Sequence, residues 1–213
     1  MSITHHPGEE LLLGYASGAA DEAVSLLVAT HLAMCGACRA AVRSAEAAGG
    51  GVLAQIDPVA LDAQAYQSVL ARLDAPAAEI VRKAGLGGDV PMPLQPYIGA
   101  NYSDVRWRPV APGLSYYPLF TRDGTRARLI RSRHGAGVAT HTHRGEEWTL
   151  VLTGSFHDVT GRYAAGDVQS TTPDIEHEPT ADPGPVCINL AVTDAPLIFR
   201  GWLPKIVGKV FGF

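Results

Sequence analysis

Across residues 86–104 the hydrophobic period of the chain changes, and that change constrains the fold more than any other feature of the sequence. Before it, apolar residues recur at helical spacing in a stretch rich in Ala, Leu and Glu. After it, short alternating runs such as "TRARLIRSR", "EEWTLVLTGSFHD", "GRYAAGDVQST" and "PVCINLAVTD" stand between turn residues, the pattern of an antiparallel sandwich or small barrel. A chain of 213 residues has room for two modest cores. The expected architecture is α + β in two domains. Residues 1–85 form a small helical bundle of about four helices, residues 86–104 are a Gly- and Pro-rich linker, and residues 105–213 form an antiparallel sandwich or small barrel.

Within the first half, "EELLLGYASG" reads as a short helix. "DEAVSLLVATHLAMCGACRAAVRSAEAA" reads as one long helix, opened by Asp21 and closed by Gly49, Gly50 and Gly51. A third helix is expected in "DPVALDAQAYQSVLARLD", with Asp57 as cap and Pro58 in the first turn, and a fourth in "PAAEIVRKAG".

Charge separates the halves further. Residues 1–85 carry nine Asp/Glu against five Lys/Arg, a net of −4, and residues 86–213 carry twelve of each. An acidic first half argues against direct nucleic-acid binding, which needs clustered Lys and Arg, and suits a basic protein partner. No apolar run reaches the length of a membrane span and the N-terminus lacks the form of a secretion signal, so the expected location is cytoplasmic with no membrane partner. Three cysteines, two of them in a C-x-x-C, point to metal or redox chemistry rather than a disulfide framework.

On a continuous helix, positions 31, 35 and 38 fall at roughly 0°, 40° and −20°, so His31, Cys35 and Cys38 project from one face. Zinc takes four such ligands in a tetrahedron. The fourth is expected from His5 or His6, just before the first helix, with His6 favoured as the nearer to it. A thioredoxin-like redox pair would follow a strand and open a helix, and plain packing of small thiols is the remaining alternative. His6, His31, Cys35 and Cys38 on a small acidic helical domain resemble the zinc-binding anti-sigma domain. That resemblance implies a Zn2+ site and a partner, a group IV (extracytoplasmic-function) sigma factor kept from RNA polymerase. Leu11, Leu12, Leu26, Leu27, Val69 and Leu73 are then either core or partner surface.

Residues 135–154 fit G-x5-H-x-H-x3-E-x6-G through Gly135, His141, His143, Glu147 and Gly154. On a strand, His141 and His143 point the same way, and Glu147 can return a carboxylate to the same point after a turn. The motif resembles the first signature of the cupin superfamily, β-barrels of jelly-roll type. "GDVQSTTPDIEHEP" supplies the Gly166, Pro173 and His177 of a looser second signature, which lacks the expected glycine after the proline and the later Asn. His177 is the expected fourth ligand, for Zn2+ or another divalent transition metal. His134 and His157 fit neither pattern and read as surface or loop residues; Cys187 reads as a buried small side chain.

A zinc anti-sigma domain followed by a cupin resembles the ChrR-like anti-sigma factors over essentially the whole chain. The resemblance implies a non-enzymatic regulator of transcription that releases its sigma factor on an oxidative signal such as singlet oxygen. The alternative is a metal-dependent cupin enzyme, a dioxygenase or isomerase, with an accessory zinc domain. It has no evident substrate-binding charge set, because Arg126, Arg128, Arg131 and Arg133 read more simply as a solvated strand face. The final "RGWLPKIVGKVFGF" is expected to pack on the barrel.

Overall fold

A computed structural model describes residues 2–73, 87–119 and 125–200. The chain begins with α1 (Glu9–Ala16), α2 (Glu22–Met34), α3 (Gly36–Leu53) and α4 (Ala65–Leu73), and a fifth short helix, α5, spans Gln95–Ile98. Eleven strands follow: β1 Arg108–Ala111, β2 Leu114–Pro118, β3 Arg126–Ser132, β4 His141–His143, β5 Glu147–Thr153, β6 Ser155–Asp158, β7 Gly161–Ala164, β8 Val168–Thr171, β9 Thr180–Ala181, β10 Cys187–Thr193 and β11 Leu197–Phe199. The largest sheet is antiparallel, in the order β1-β2-β3-β10-β5-β8, with smaller sheets β7-β6-β9 and β11-β4. Bridges at Gly137–Thr180 and His141–His177 tie the smaller sheets together. The helical N-terminal half and the β-sheet C-terminal half match the α + β expectation.

Strand β10 shows how the two halves share a core. Its alternate residues Ile188, Leu190 and Val192 face the helices, in one apolar cluster with Leu27, Val28, Leu94 and Ile98. Cys187 and Ala191 point the other way, into the barrel. Every residue of β10 is buried because both of its faces are covered. Helix α2 is likewise enclosed: eight of its 13 residues are buried, from Ala23 to Leu32. Asp21 caps it as expected, its Oδ1 accepting the Val24 N–H at 2.8 Å.

The long helix expected from Asp21 through Ala48 is instead two. Cys35 leaves the helix with φ −112° and ψ 111°, and its sulfur caps α3 by accepting the Cys38 N–H at 3.5 Å. A side chain that can serve as cap competes with continuation of the helix, and Gly36 lowers the helical preference at the same point. Conversely Gly49, Gly50 and Gly51 do not stop α3, which runs on to Leu53. A Cβ at any of the three would meet nothing, so Gly50→Ala is expected to stabilise the helix by ~0.5–1 kcal/mol, measured by urea unfolding followed through helical circular dichroism. The Asp57-capped start is also corrected: residues 57–62 are not helical, and α4 begins at Ala65. The helix expected at 76–85 and the C-terminal segment 201–213 lie outside the described residues.

Residues 86–104, expected as a linker, are not an extended tether where they are described. Val90, Leu94, Ile98 and Tyr102 are buried in the core shared by helices and sheet. The Pro and Gly residues there shape a 3-10 turn at Met92–Leu94, followed by α5 and its end at Gly99, where φ is 89°. The arginine strand is corrected too. Arg128 is buried, which pulls its pKa down to about 10, and Arg131 lies over the Trp107 ring with its Nε donating to Ser115 Oγ; Arg126 and Arg133 are exposed. No helix among the described residues is long and apolar enough to cross a membrane.

Candidate metal centres

Among the described residues two clusters of metal-ligating side chains form, and the structure brings together in them the eight residues expected. The first comprises His6, His31, Cys35 and Cys38, whose ligand atoms lie within 4.8 Å of one another. His6 stands just before α1, His31 in the last turn of α2, Cys35 at the break and Cys38 in the first turn of α3. His6 Nδ1 is 3.3 Å from Cys38 Sγ and 3.6 Å from Cys35 Sγ. Bond lengths of about 2.3 Å to sulfur and 2.0 Å to nitrogen give tetrahedral edges of roughly 3.3–3.8 Å, so the spacing fits one zinc-sized ion. The neighbouring His5 turns away, its ring 4.6 Å from that of Tyr163.

The protonation of His31 tests the fit independently. Its Nδ1 lies 2.9 Å from the Gly166 carbonyl oxygen, which can only accept, so Nδ1 carries the proton. Nε2 is then a bare lone pair, buried with no hydrogen-bond partner. Burial lowers the pKa of this ring, more than the Gly166 carbonyl raises it, and so keeps it a neutral ligand. Burial also pushes the Cys38 thiol up to about 11, with Cys35 adding to the effect. The pair does open a helix, contrary to the mid-helix expectation, but it follows a helix rather than a strand. A raised thiol pKa is the opposite of what a reactive redox thiolate needs. All three cysteines are free.

The second cluster is His141, His143, Glu147 and His177, all buried. The edge strand β4 presents both of its histidines inward, the next strand starts at Glu147, and the His141–His177 bridge brings in the fourth member. Glu147 Oε2 lies 2.9 Å from His143 Nε2, 3.6 Å from His177 Nε2 and 3.7 Å from His141 Nε2. His141 Nδ1 donates to the Ala139 carbonyl at 2.8 Å and His177 Nδ1 to Asp158 Oδ2 at 2.7 Å. Both Nε2 atoms therefore face inward, only 3.1 Å apart, an approach that needs a cation or a shared proton between them. Burial opposes a charge on His177, but hydrogen bonds to Asp158 and Glu147 outweigh it and raise its pKa to about 9. Glu147 is held well below the usual carboxylate range, because hydrogen bonds from three histidines overcome its burial. The donor set of three imidazoles and a carboxylate suits a divalent transition metal.

Asp158 is the functional neighbour that motif reading misses. Its side chain is fully buried and accepts from Thr160 N and Oγ1 and from Gln169 Nε2 as well as from His177. A His whose outer nitrogen is held by a carboxylate is the usual support of a metal ligand. The cluster borders a cavity of about 20 Å³ lined also by Phe156, Cys187 and Asn189. Cys187 is buried as expected, its thiol donating to Asn189 Oδ1 at 3.4 Å, and burial pushes its pKa up to about 12. His134 is exposed, and His157 pairs with Asp182 at 2.7 Å; neither joins a cluster.

Residues 96–195 match the family model described as the ChrR cupin-like domain. The chain is 42% identical over 211 residues, 99% of its length and 99% of the relative, to the anti-sigma-E factor ChrR of Cereibacter sphaeroides. It superposes with a TM-score of 0.81 and 41% identity on the crystal structure of Rhodobacter sphaeroides SigE in complex with the anti-sigma ChrR, covering 91% of this chain and 100% of that one. The chain belongs to the ChrR family of anti-sigma factors.

Proposed function

We propose that this chain is a cytoplasmic, zinc-dependent anti-sigma factor that binds a group IV sigma factor, keeps it from RNA polymerase, and releases it on an oxidative signal such as singlet oxygen. The observation that carries the reading is likeness along the entire chain to an anti-sigma factor whose structure is known with SigE. In this reading residues 1–85 inhibit, and residues 105–213 receive the signal or promote release. His6, His31, Cys35 and Cys38 hold Zn2+, and His141, His143, Glu147 and His177 hold Zn2+ or another divalent metal.

The exposed surface supports the assignment of roles. Leu11, Leu26 and Leu27 are core and Leu12 is partly buried, whereas Val69 and Leu73 stand 57% and 74% exposed on α4, which buries none of its residues. With Tyr66 on the same helix, and Val52, Leu53 and Ile56 at and beyond the end of α3, they form apolar surface suited to a protein partner. A bound zinc ion at the first site supplies structure, and its two thiolates are groups that an oxidant can modify. At the second site the cavity beside the ligands has room for a water-sized molecule.

Co-expression with the cognate sigma factor tests the reading. The expected result is a stable complex that does not support transcription with core polymerase, and its loss in Cys35→Ser. Undiminished transcription in the presence of excess wild-type chain would rule the function out.

A further inference from the structure

The ligands His6 and His31 lie in the helical half, yet the groups that hold them in place come from the barrel. The turn between β7 and β8 makes the contact. Asp167 Oδ1 accepts the backbone N–H of Thr4 at 2.7 Å and of His5 at 2.9 Å, and the Val168 N–H donates to the His5 carbonyl at 3.0 Å. His5 is thus held on both its backbone groups, and the next residue is His6. One residue before Asp167, the Gly166 carbonyl accepts the Nδ1–H of His31.

Local structure explains why this turn can do so. Gly166 has φ 95°, a conformation that residues with a Cβ rarely adopt, and the Ile3 side chain lies directly against it, where a Cβ would force Ile3 to shift. The other oxygen of Asp167, Oδ2, accepts the Ala164 N–H at 2.9 Å and fixes the turn itself. Its Oδ1 is left to the N-terminal segment, and the carboxylate is only 4% exposed. Immediately after Val168, Gln169 donates to Asp158, the residue that holds His177 in the second cluster. Four consecutive residues, Gly166–Gln169, therefore touch the supports of both clusters.

We propose that the barrel turn Ala164–Val168 is the outer shell of the two-cysteine metal site, with Asp167 the positioning residue for His6 and the Gly166 carbonyl the one for His31. The inhibitory module then owes part of its metal affinity to the barrel. This rests on the reading that His6, His31, Cys35 and Cys38 bind a metal. Loss of an outer-shell partner typically weakens metal affinity 10–100-fold. Without Asp167, the N-terminal segment must be ordered at the moment of binding.

Cobalt(II) titration of the full-length chain tests the proposal, because only a site with thiolate ligands gives the sulfur-to-cobalt charge-transfer band. Two variants remove the same hydrogen bond from opposite sides. Asp167→Ala removes the acceptor, and Thr4→Pro removes both Thr4 donors, the backbone N–H and the hydroxyl, without altering the barrel. The expected result is a cobalt dissociation constant for that band raised about 10–100-fold in Asp167→Ala and raised by less in Thr4→Pro. Wild-type affinity in both overturns the proposal. So does a weakened Asp167→Ala beside an unchanged Thr4→Pro, since the carboxylate then acts through the barrel fold alone. A wild-type chain with no such band identifies a different failure, that of the four-ligand site itself.

Discussion

Stripping the ion from the two-cysteine cluster is expected to speed amide exchange in α3 and in the segment before α1 by about a hundredfold, while α2 stays protected. A hundredfold is roughly 2.8 kcal/mol at 1.4 kcal/mol per tenfold. The asymmetry follows from burial. Helix α2 is anchored by Ala23, Val24, Leu26, Leu27, Val28 and Leu32 in the core it shares with the sheet. Helix α3 buries only Cys38 and Val42, so with the ion gone its anchor is a pair of protonated thiols and one valine. Structural zinc supplies about 10–16 kcal/mol of apparent binding energy in small peptides, comparable to the entire stability of a domain. A small part of that energy, the roughly 2.8 kcal/mol above, suffices to open the element with the least packing of its own. Hydrogen exchange with and without chelator measures it; uniform loss across α2 and α3 would contradict this division.

His141→Ala is expected to lower bound metal from about two ions per chain to about one, and Asp158→Ala to leave the second ion bound about 10–100-fold more weakly. His141 is one of three imidazoles around a single carboxylate oxygen, and its loss leaves His143, Glu147 and His177 short of a ligand and beside a void. Asp158 acts one step out. It fixes which nitrogen of His177 carries the proton, so without it the ring is free to turn or to change tautomer. Elemental analysis reads the count and chelator competition reads the affinity. A count unchanged in His141→Ala would remove that residue from the site.

Both clusters were legible where their chemistry is local in sequence. His141, His143 and Glu147 lie within seven residues, on one strand and the start of the next, and a period of two places them together. Helical geometry over a continuous helix puts His31, Cys35 and Cys38 on one face. They meet even though Cys35 breaks it, because the break keeps Cys35 and Cys38 in one capping turn. The helical half was less legible in its boundaries: propensity at the three consecutive glycines gave way to continuation of α3, and the Pro58 signal was not followed by a helix.

The remainder was illegible for a physical reason. Gly166 and His31 are 135 positions apart, and Asp167 and His5 are 162 apart, so no local pattern couples them. Val90, Leu94, Ile98 and Tyr102 carry a core signal diluted by the prolines and glycines that shape their turns. Arg128 reads like its exposed neighbour Arg126, but it stands opposite Ala191 on the barrel-facing side of the sheet, and only its enclosure there separates the two.

In vitro transcription by polymerase loaded with the cognate sigma factor tests most directly whether a bound ion shapes the inhibitor. The chain is added as isolated, after chelation, and after zinc is restored. Inhibition that disappears with the ion and returns with it is the expected result; equal inhibition by the stripped chain contradicts the account.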